Sequence, residues 1–284
     1  MTPQTRAAGL VLGGVVSVQA GSALATTLFD ELGPGGAVLL RNLFAALVLV
    51  AVWRPVLREH SKPALRSAAI FGIALAGMNL SFYEALDRLP LGIAVTLEFT
   101  GPLAVAIAGS RRAIDLLWVT MAAAGIVLLS GGFGGEGIDT VGALFALAAG
   151  AFWGGYILIS ARVGREFSGG TGLAIAMSVS AILLLPVGVG DGGGELLDPA
   201  LLAAGAGVAL LSSVIPYSLE LEALRRLSPG TFGVLMSLEP AAAALIGLIA
   251  LDQGLAAAEV VAIALVVAAS AGALRSAATP PRDA

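Results

Sequence analysis

Ten apolar blocks, each about 20 residues long, occupy most of this 284-residue chain. A helix needs roughly 20 residues to cross about 30 Å of hydrocarbon. Only 12% of the residues are charged, about half the share of an ordinary soluble domain, so a soluble fold could not cover its surface. The blocks, numbered here as spans 1 to 10, are residues 8–28, 35–53, 64–85, 91–109, 114–131, 139–160, 171–190, 199–221, 231–250 and 256–274.

The pattern within each block favours helices. The blocks are apolar all round and lack the alternating polarity of barrel strands, which predicts an all-α integral membrane protein in contact with the lipid bilayer. There is no cysteine, and the single histidine, His60, lies in a loop. We therefore expect no metal, no cofactor, no nucleic acid and no catalytic constellation, so the chain is not expected to be an enzyme.

Positive charge is concentrated on one side of the predicted membrane. If the amino terminus is cytoplasmic, 13 of the 15 Lys and Arg residues fall on the cytoplasmic side. The other two are Arg88, in an outside loop, and Arg41, within span 2. Because cytoplasmic loops collect Lys and Arg, the bias predicts ten spans with both termini in the cytoplasm.

Two segments match each other at an offset of 138 residues. They are EALDRLPLGIAVTLEFTGPLAVAIAG, starting at Glu84, and EALRRLSPGTFGVLMSLEPAAAALIG, starting at Glu222, and 11 of 26 positions are identical. The match relates spans 3–4 to spans 8–9, which indicates two five-helix repeats, residues 1–137 and 138–284, joined by a glycine-rich connector. An odd number of helices per repeat places the two repeats in opposite orientations. Such inverted repeats are typical of transporters, whose substrate site lies between the halves near the bilayer midplane.

Two carboxyls lie near the middle of predicted spans. A charge at the bilayer centre costs from about 3 to more than about 10 kcal/mol, so such residues are functional candidates. Glu98 lies in span 4 and Glu239 in span 9, where Glu239 aligns with Gly101. Three residues separate the two acids in the repeat register, which would place them on one helix face. Each acid could carry a proton or hold an ammonium group; the alternative is that each only satisfies neighbouring groups.

Two prolines and one arginine extend this candidate site. Pro102 and Pro240 are equivalent in the repeat and would each deprive the carbonyl four residues earlier of its partner, either at a polar cavity or as a kink used for packing. Arg41 could pair with a carboxyl or bind a substrate carboxylate, or else snorkel to the interface. Other polar and aromatic residues within the spans could line a cavity, or serve as interfacial anchors and interhelical bonds. They are Gln19, Asn79, Trp153, Tyr156, Ser213 and Tyr217. Glu84, Glu220 and Glu222, near span ends, are expected to be structural and to pair with loop arginines.

The segments 90–106, 151–164 and 212–247 resemble those of EamA-type transporters in the drug/metabolite transporter superfamily, and the similarity is closest to the inner-membrane threonine/homoserine exporters. The resemblance runs over nearly the whole chain. It implies ten spans in two repeats and export of small amino acids across the inner membrane, with proton antiport as its expected coupling. Glu239-Pro240 follows the pattern of the family's fourth helix, whereas the first repeat has Gly101-Pro102 with its acid displaced to Glu98.

A permease for another metabolite or drug of the same superfamily is the alternative. A drug cargo would predict an aromatic-rich cavity and a phosphate cargo several buried cations. The chain has 6% aromatic residues and a single arginine within its spans, which favours neither.

Overall fold

The computed structural model describes residues 3–108, 114–129, 138–224, 226–227 and 229–278. Within these ranges all regular structure is helical. Nine helices in the described part are long and apolar enough to cross a membrane, and a tenth apolar helix is shorter. The ten spans observed are Pro3–Thr26, Phe29–Trp53, Lys62–Leu86, Leu91–Ala108, Ile114–Leu129, Thr140–Glu166, Thr171–Gly192, Pro199–Leu224, Pro229–Ala250 and Ala257–Ala278. The prediction of an all-α membrane protein with ten helices is confirmed.

Three of these spans are interrupted at depth. Span 4 consists of helices Leu91–Glu98 and Thr100–Ala108, and span 9 of helices Pro229–Met236 and Glu239–Ala250. Span 8 contains a π-helical turn, Leu210–Val214. Interrupted backbone at membrane depth is tolerated only inside protein or beside a polar cavity, so the three interruptions mark the region to search for a site.

The helix contacts follow a two-fold pattern. Span 3 packs along span 6, and span 8, five helices later, packs along span 1. Span 4 lies against span 6 and span 9 against span 1, while spans 2 and 7, 4 and 9, and 5 and 10 contact each other directly. This pattern is the one expected of two five-helix repeats. The proposed boundary after residue 137 falls in a connector that lies outside the described residues, and the division itself stays a prediction.

Spans 2 and 7 meet around one polar contact. The Ser180 hydroxyl donates to Asn42 Oδ1 at 3.0 Å, and these residues are 138 positions apart. Two residues that are also 138 positions apart, Trp53 and Asp191, close the two ends of this interface. Asp191 accepts a hydrogen bond from the Gly35 backbone N–H at 3.0 Å, just after a kink at Gly33, whose φ is +63°. At the other end, the Trp53 ring covers Gly169 and Gly170, where any Cβ would overlap with it.

Ion pairs also recur in the two halves. Arg88 pairs with Glu84 at 2.8 Å, and Arg226 pairs with Glu222. Both pairs join residues four apart at an exposed helix end, as the sequence predicted for Glu84 and Glu222. Large aliphatic side chains elsewhere on the helices are exposed, for example Leu158 and Ile249, and in a membrane such side chains contact lipid.

Candidate functional site

Two buried carboxyls mark the interruptions of spans 4 and 9. Glu98 is the last residue of the helix that ends before Phe99, and it is 8% exposed. Glu239 is the first residue of the second half of span 9, with Pro240 in the first turn, and it is 5% exposed. Proline fits a first helical turn because a backbone N–H at that position would have no partner within the helix, so its absence costs nothing. The prolines thus lie where the predicted helix interruptions occur.

The interruption of span 4 lies directly against span 6. An ideal Cβ on Gly150 would lie 2.5 Å from the Glu98 carbonyl oxygen, and a Cβ on Gly101 would overlap with the Gly150 carbonyl. The two backbones are therefore in contact at the interruption, where glycine is required because no side chain fits. The Phe99 and Trp153 rings pack edge to face at 5.1 Å between centroids at the same level.

Arg41 points into the protein. It is 8% exposed, its guanidinium lies over the Tyr83 ring at 5.6 Å from the centroid, and it donates to the Ser212 carbonyl at 3.4 Å. It also interacts electrostatically with Glu98. Snorkelling to the interface, the alternative considered from the sequence, is wrong. The guanidinium has five donors, so it retains capacity for a carboxylate.

The π-helical turn in span 8 provides the carbonyl that Arg41 binds. The widened turn also presents the Leu211 carbonyl, which accepts from the Ser17 hydroxyl of span 1 at 2.7 Å. Gly21 allows this approach, since a Cβ there would overlap with Ser212. Turns of this kind occur frequently at functional sites. Spans 1, 2 and 8 are therefore joined at the level of Arg41.

A third acid completes the cluster. Glu220, in span 8, interacts electrostatically with Glu239, which also interacts with Glu98. Glu220 lies beside Gly14 of span 1, where a Cβ would meet its side chain at 3.6 Å. The expected pairing of Glu220 with a loop arginine stays a prediction, since Arg225 of that loop lies outside the described residues. Among the described ion pairs none involves Glu220, and its half-buried side chain lies near Glu239.

Two tyrosines connect this third acid to the rest. Tyr217 interacts electrostatically with Arg41, Glu220 and Glu239, and Tyr156 with Tyr217 and Glu220. Tyr156 also packs on Phe71 of span 3 with ring centroids 5.0 Å apart. Their hydroxyls can donate or accept, so both tyrosines are suited to a polar ligand that carries both kinds of group.

Several polar atoms near the π-helical turn have no partner. Gln19 Oε1, Ser212 Oγ and Ser213 Oγ are buried without a hydrogen-bond partner in the described structure. An unsatisfied buried polar atom costs about 1–3 kcal/mol and therefore calls for an explanation such as a ligand or an ordered water. Gln19 and Ser213 are both candidates from the sequence.

Asn79 is in a different environment. Its amide donates to Asn42 Oδ1 at 3.1 Å, and the same oxygen accepts from Ser180. This buried network ties spans 2, 3 and 7 together and corresponds to the interhelical-bond alternative. The structure thus brings Arg41, Glu98, Glu239, Tyr156 and Tyr217 together and places Asn79 in the adjacent interface.

The sequence missed two members of the site, Tyr83 and Glu220. Glu220 follows Tyr217 by three residues on one helix face, and that spacing was the available signal. Tyr83 carried no comparable signal, because its position under Arg41 depends on how spans 2 and 3 pack. Glu98 and Glu239 do not lie on one face of continuous helices, as the sequence predicted, because both spans are interrupted between the two repeat positions.

The cluster contains three carboxyls and one guanidinium within a protein otherwise built of apolar helices. If all four were ionised, the net charge would be −2, which a low-dielectric interior does not tolerate without further positive charge. A small molecule with an ammonium group, or protons, would supply that charge. A polar cluster between two symmetric groups of helices, at interrupted spans, is the arrangement of a multi-pass membrane transporter.

Comparison with known proteins agrees with this class. Residues 140–275 match the EamA-like transporter family. The chain is 42% identical over 257 residues to the threonine/homoserine exporter RhtA of Salmonella typhimurium, covering 90% of this chain and 87% of that protein. It is 40% identical over 264 residues to RhtA of Escherichia coli, covering 93% and 89%. The chain belongs to the EamA-like transporter family.

A solved crystal structure has the same overall fold. Its alignment covers 93% of this chain and 96% of the other, with a TM-score of 0.62 and 21% identity. At this identity the likeness concerns the arrangement of helices alone.

Proposed function

We propose that this protein exports small hydroxylated amino acids, threonine and homoserine among them, across the cytoplasmic membrane in exchange for protons. The observation that carries the proposal is the cluster of the buried Glu98, Glu239 and Arg41 with the half-buried Glu220 at the interrupted spans. Similarity to exporters of these two amino acids, over about nine tenths of the chain, supports the cargo.

The chemistry of an amino acid suits this cluster. The cargo's carboxylate binds Arg41, whose fork geometry matches a carboxylate. Its ammonium group binds between Glu98 and Glu239. The hydroxyl of the cargo's side chain can form hydrogen bonds with the hydroxyls of Tyr217 and Ser213, which can donate and accept. The Ser213 hydroxyl has no other partner in the described structure.

Charge balance links cargo to protons. Three carboxyls and one guanidinium clustered among apolar helices need added positive charge, and either an ammonium group or protons supply it. Both occupy the same carboxyls, so each displaces the other. Protons that enter from outside release the amino acid there, and the amino acid that binds from inside releases the protons. Access alternates as one repeat moves against the other.

Orientation follows from the same proposal. The bias of Lys and Arg supports a cytoplasmic location for both termini, and the two five-helix repeats, 1–137 and 138–284, would then lie in opposite orientations. The two-fold pattern of helix contacts supports the repeats. Reactivity of single cysteines introduced at Ser61 and at Asp198 would test sidedness, since the chain has no cysteine of its own. Only Asp198→Cys should react with an impermeant maleimide in intact cells.

The test is threonine efflux from proteoliposomes loaded with radiolabelled threonine, under an imposed pH gradient. We expect an inward proton gradient to accelerate efflux. Glu98→Gln, Glu220→Gln and Glu239→Gln should each slow it by at least about tenfold, because each removes a proton- and ammonium-binding group. Glu222→Gln, which removes an exposed carboxyl two residues from Glu220, is the matched control and should transport normally.

Two outcomes would contradict the proposal. Full activity in all three glutamine variants would remove the carboxyls from the mechanism. Absence of threonine and homoserine transport in a correctly inserted protein would favour another metabolite as cargo, and a screen of unlabelled competitors against proton movement would then identify it.

A further inference from the structure

A second polar region lies where span 3 begins and span 6 ends. There a pocket of about 520 Å³ is lined by three cationic side chains, Lys62, Arg66 and Arg162, together with Ser67, Ile70 and Ile159. Lys62 is the first residue of span 3, and Arg162 lies four residues before the end of span 6. The pocket is therefore at the membrane surface, where both spans end.

The charge in this pocket is positive and only partly compensated. Arg162 pairs with Glu166 at 2.9 Å between Nε and Oε1. The ion pairs found in the described part of the chain leave Lys62 and Arg66 without a carboxylate. Span 3 also begins here, and the N-terminus of a helix carries partial positive charge that favours anions.

The wall of the pocket changes from cationic to aliphatic with depth. Lys62, Arg66, Ile70 and Ile73 recur at helical spacing on one face of span 3. Ile70 lies roughly 12 Å deeper than Lys62 at 1.5 Å per residue. Ile73 is 53% exposed and Leu158, on span 6, is 68% exposed, so this flank faces the lipid chains. Phe71, the residue after Ile70, packs on Tyr156 of span 6 with ring centroids 5.0 Å apart.

We propose that this pocket binds the head group of an anionic phospholipid, with one acyl chain along Ile70, Ile73 and Leu158. The phosphate lies between Lys62, Arg66 and Arg162. Cationic pockets between membrane helices are suited to such head groups. The exposed aliphatic side chains below the cations can contact an acyl chain, which favours a lipid over a soluble anion as the ligand. The proposal is independent of the exported cargo.

The test is native mass spectrometry of the purified protein in detergent, with added phosphatidylglycerol or phosphatidylcholine of identical acyl chains. We expect phosphatidylglycerol to bind more tightly than phosphatidylcholine. The double variant Lys62→Gln/Arg66→Gln should raise its Kd by about tenfold or more, given the strength of cation–lipid attraction at a membrane surface. The double variant Arg54→Gln/Arg58→Gln removes two charges from the same loop outside the pocket and should change the Kd less than about twofold.

Further variants keep the test decisive. Arg66→Lys retains the charge and should retain binding, and Arg66→Gln alone should weaken it about threefold if the double variant does not insert. Equal effects of the two double variants would overturn the pocket and indicate general loop charge. Inorganic phosphate that displaces the lipid at equal concentration would overturn the lipid and indicate a soluble anion.

Discussion

Spans 4 and 9 are interrupted at equivalent places but carry their carboxyls on opposite sides of the interruption. Their first halves, Leu91–Glu98 and Pro229–Met236, correspond residue by residue at the repeat offset. Glu98 ends the first half of span 4, whereas Glu239 begins the second half of span 9. The backbone is therefore repeated while the charges are not.

This difference gives each acid a different electrostatic environment. The C-terminal end of a helix carries partial negative charge and the N-terminal end partial positive charge. Glu98 lies at the unfavourable end and has Arg41 as its cationic neighbour. Glu239 lies at the favourable end and has two other carboxyls, Glu98 and Glu220, near it. The two spans share the positions of their helix halves, and the different residues at equivalent positions make the site asymmetric.

The largest effect is expected at the crossing of spans 4 and 6. Gly101→Ala places a Cβ onto the Gly150 carbonyl, so the two spans must separate. We expect the free energy of unfolding to fall by about 3 kcal/mol, which thermal unfolding of the detergent-solubilised protein would show as a Tm lower by several degrees. Span 9 has Glu239 at the equivalent position, so only span 4 has this requirement.

Gly155→Ala is the matched control for that experiment, since a Cβ there meets nothing within 4 Å. It should leave the Tm unchanged or raise it slightly, because alanine favours helix over glycine. Equal Tm values for both variants would mean that the backbones of spans 4 and 6 are not in contact.

The second effect concerns the neighbours of the two acids. A double-mutant cycle of Arg41→Gln with Glu98→Gln should give a coupling free energy of about 1–2 kcal/mol, as expected for groups in one polar network. The cycle of Arg41→Gln with Glu239→Gln should give less than about 0.5 kcal/mol. Thermal unfolding of all the variants provides both values. Equal couplings would show that the guanidinium serves both acids alike.

A smaller effect is expected from the prolines. Pro102→Ala should leave the interruption of span 4 in place, because the contact between Gly101 and Gly150 also holds it. Pro240→Ala should allow span 9 to become more continuous and slow threonine efflux roughly threefold, as for a hinge position, with little change in Tm. Equal efflux rates in the two variants would indicate that the prolines serve only packing.

The smallest effect is expected at the repeated ion pairs. Glu84→Gln and Glu222→Gln each remove an exposed pair between residues four apart, worth about 0.3–0.5 kcal/mol. The Tm should fall by a degree or so in either variant, and the difference from the unsubstituted protein should vanish at high salt. A drop of several degrees in one variant alone would show that the two pairs are not equivalent.

Much of the fold was predictable because the bilayer limits the choices. Hydrophobic length defined ten spans, and the structure's ten helices begin and end within a few residues of most of them. Pro102 and Pro240 predicted where spans 4 and 9 are interrupted. The π-helical turn at Leu210–Val214 had no such signal, since its residues are ordinary in a membrane helix.

The site was predictable only in part. Glu98, Glu239 and Arg41 were identified because a charged side chain within an apolar span is energetically costly and is therefore a functional candidate. Glu220 was not identified as a site residue because distance along the chain from the end of a span does not show which residues of other helices lie nearby. It lies against Gly14 of span 1, a contact between residues about 200 positions apart.

The sequence by itself determined the number of spans, the repeated segment at an offset of 138 residues, the places where two helices are interrupted and three of the four charged groups of the site. The length of an apolar block and the position of a proline have local effects on helix formation, and the repeat is found by aligning two segments. All three can therefore be recognised without knowing the tertiary structure. Only the tertiary structure decided which charges meet. Arg41 reaches the Ser212 carbonyl, and Glu220 approaches Glu239, because helix packing joins distant segments in a way that no local pattern encodes.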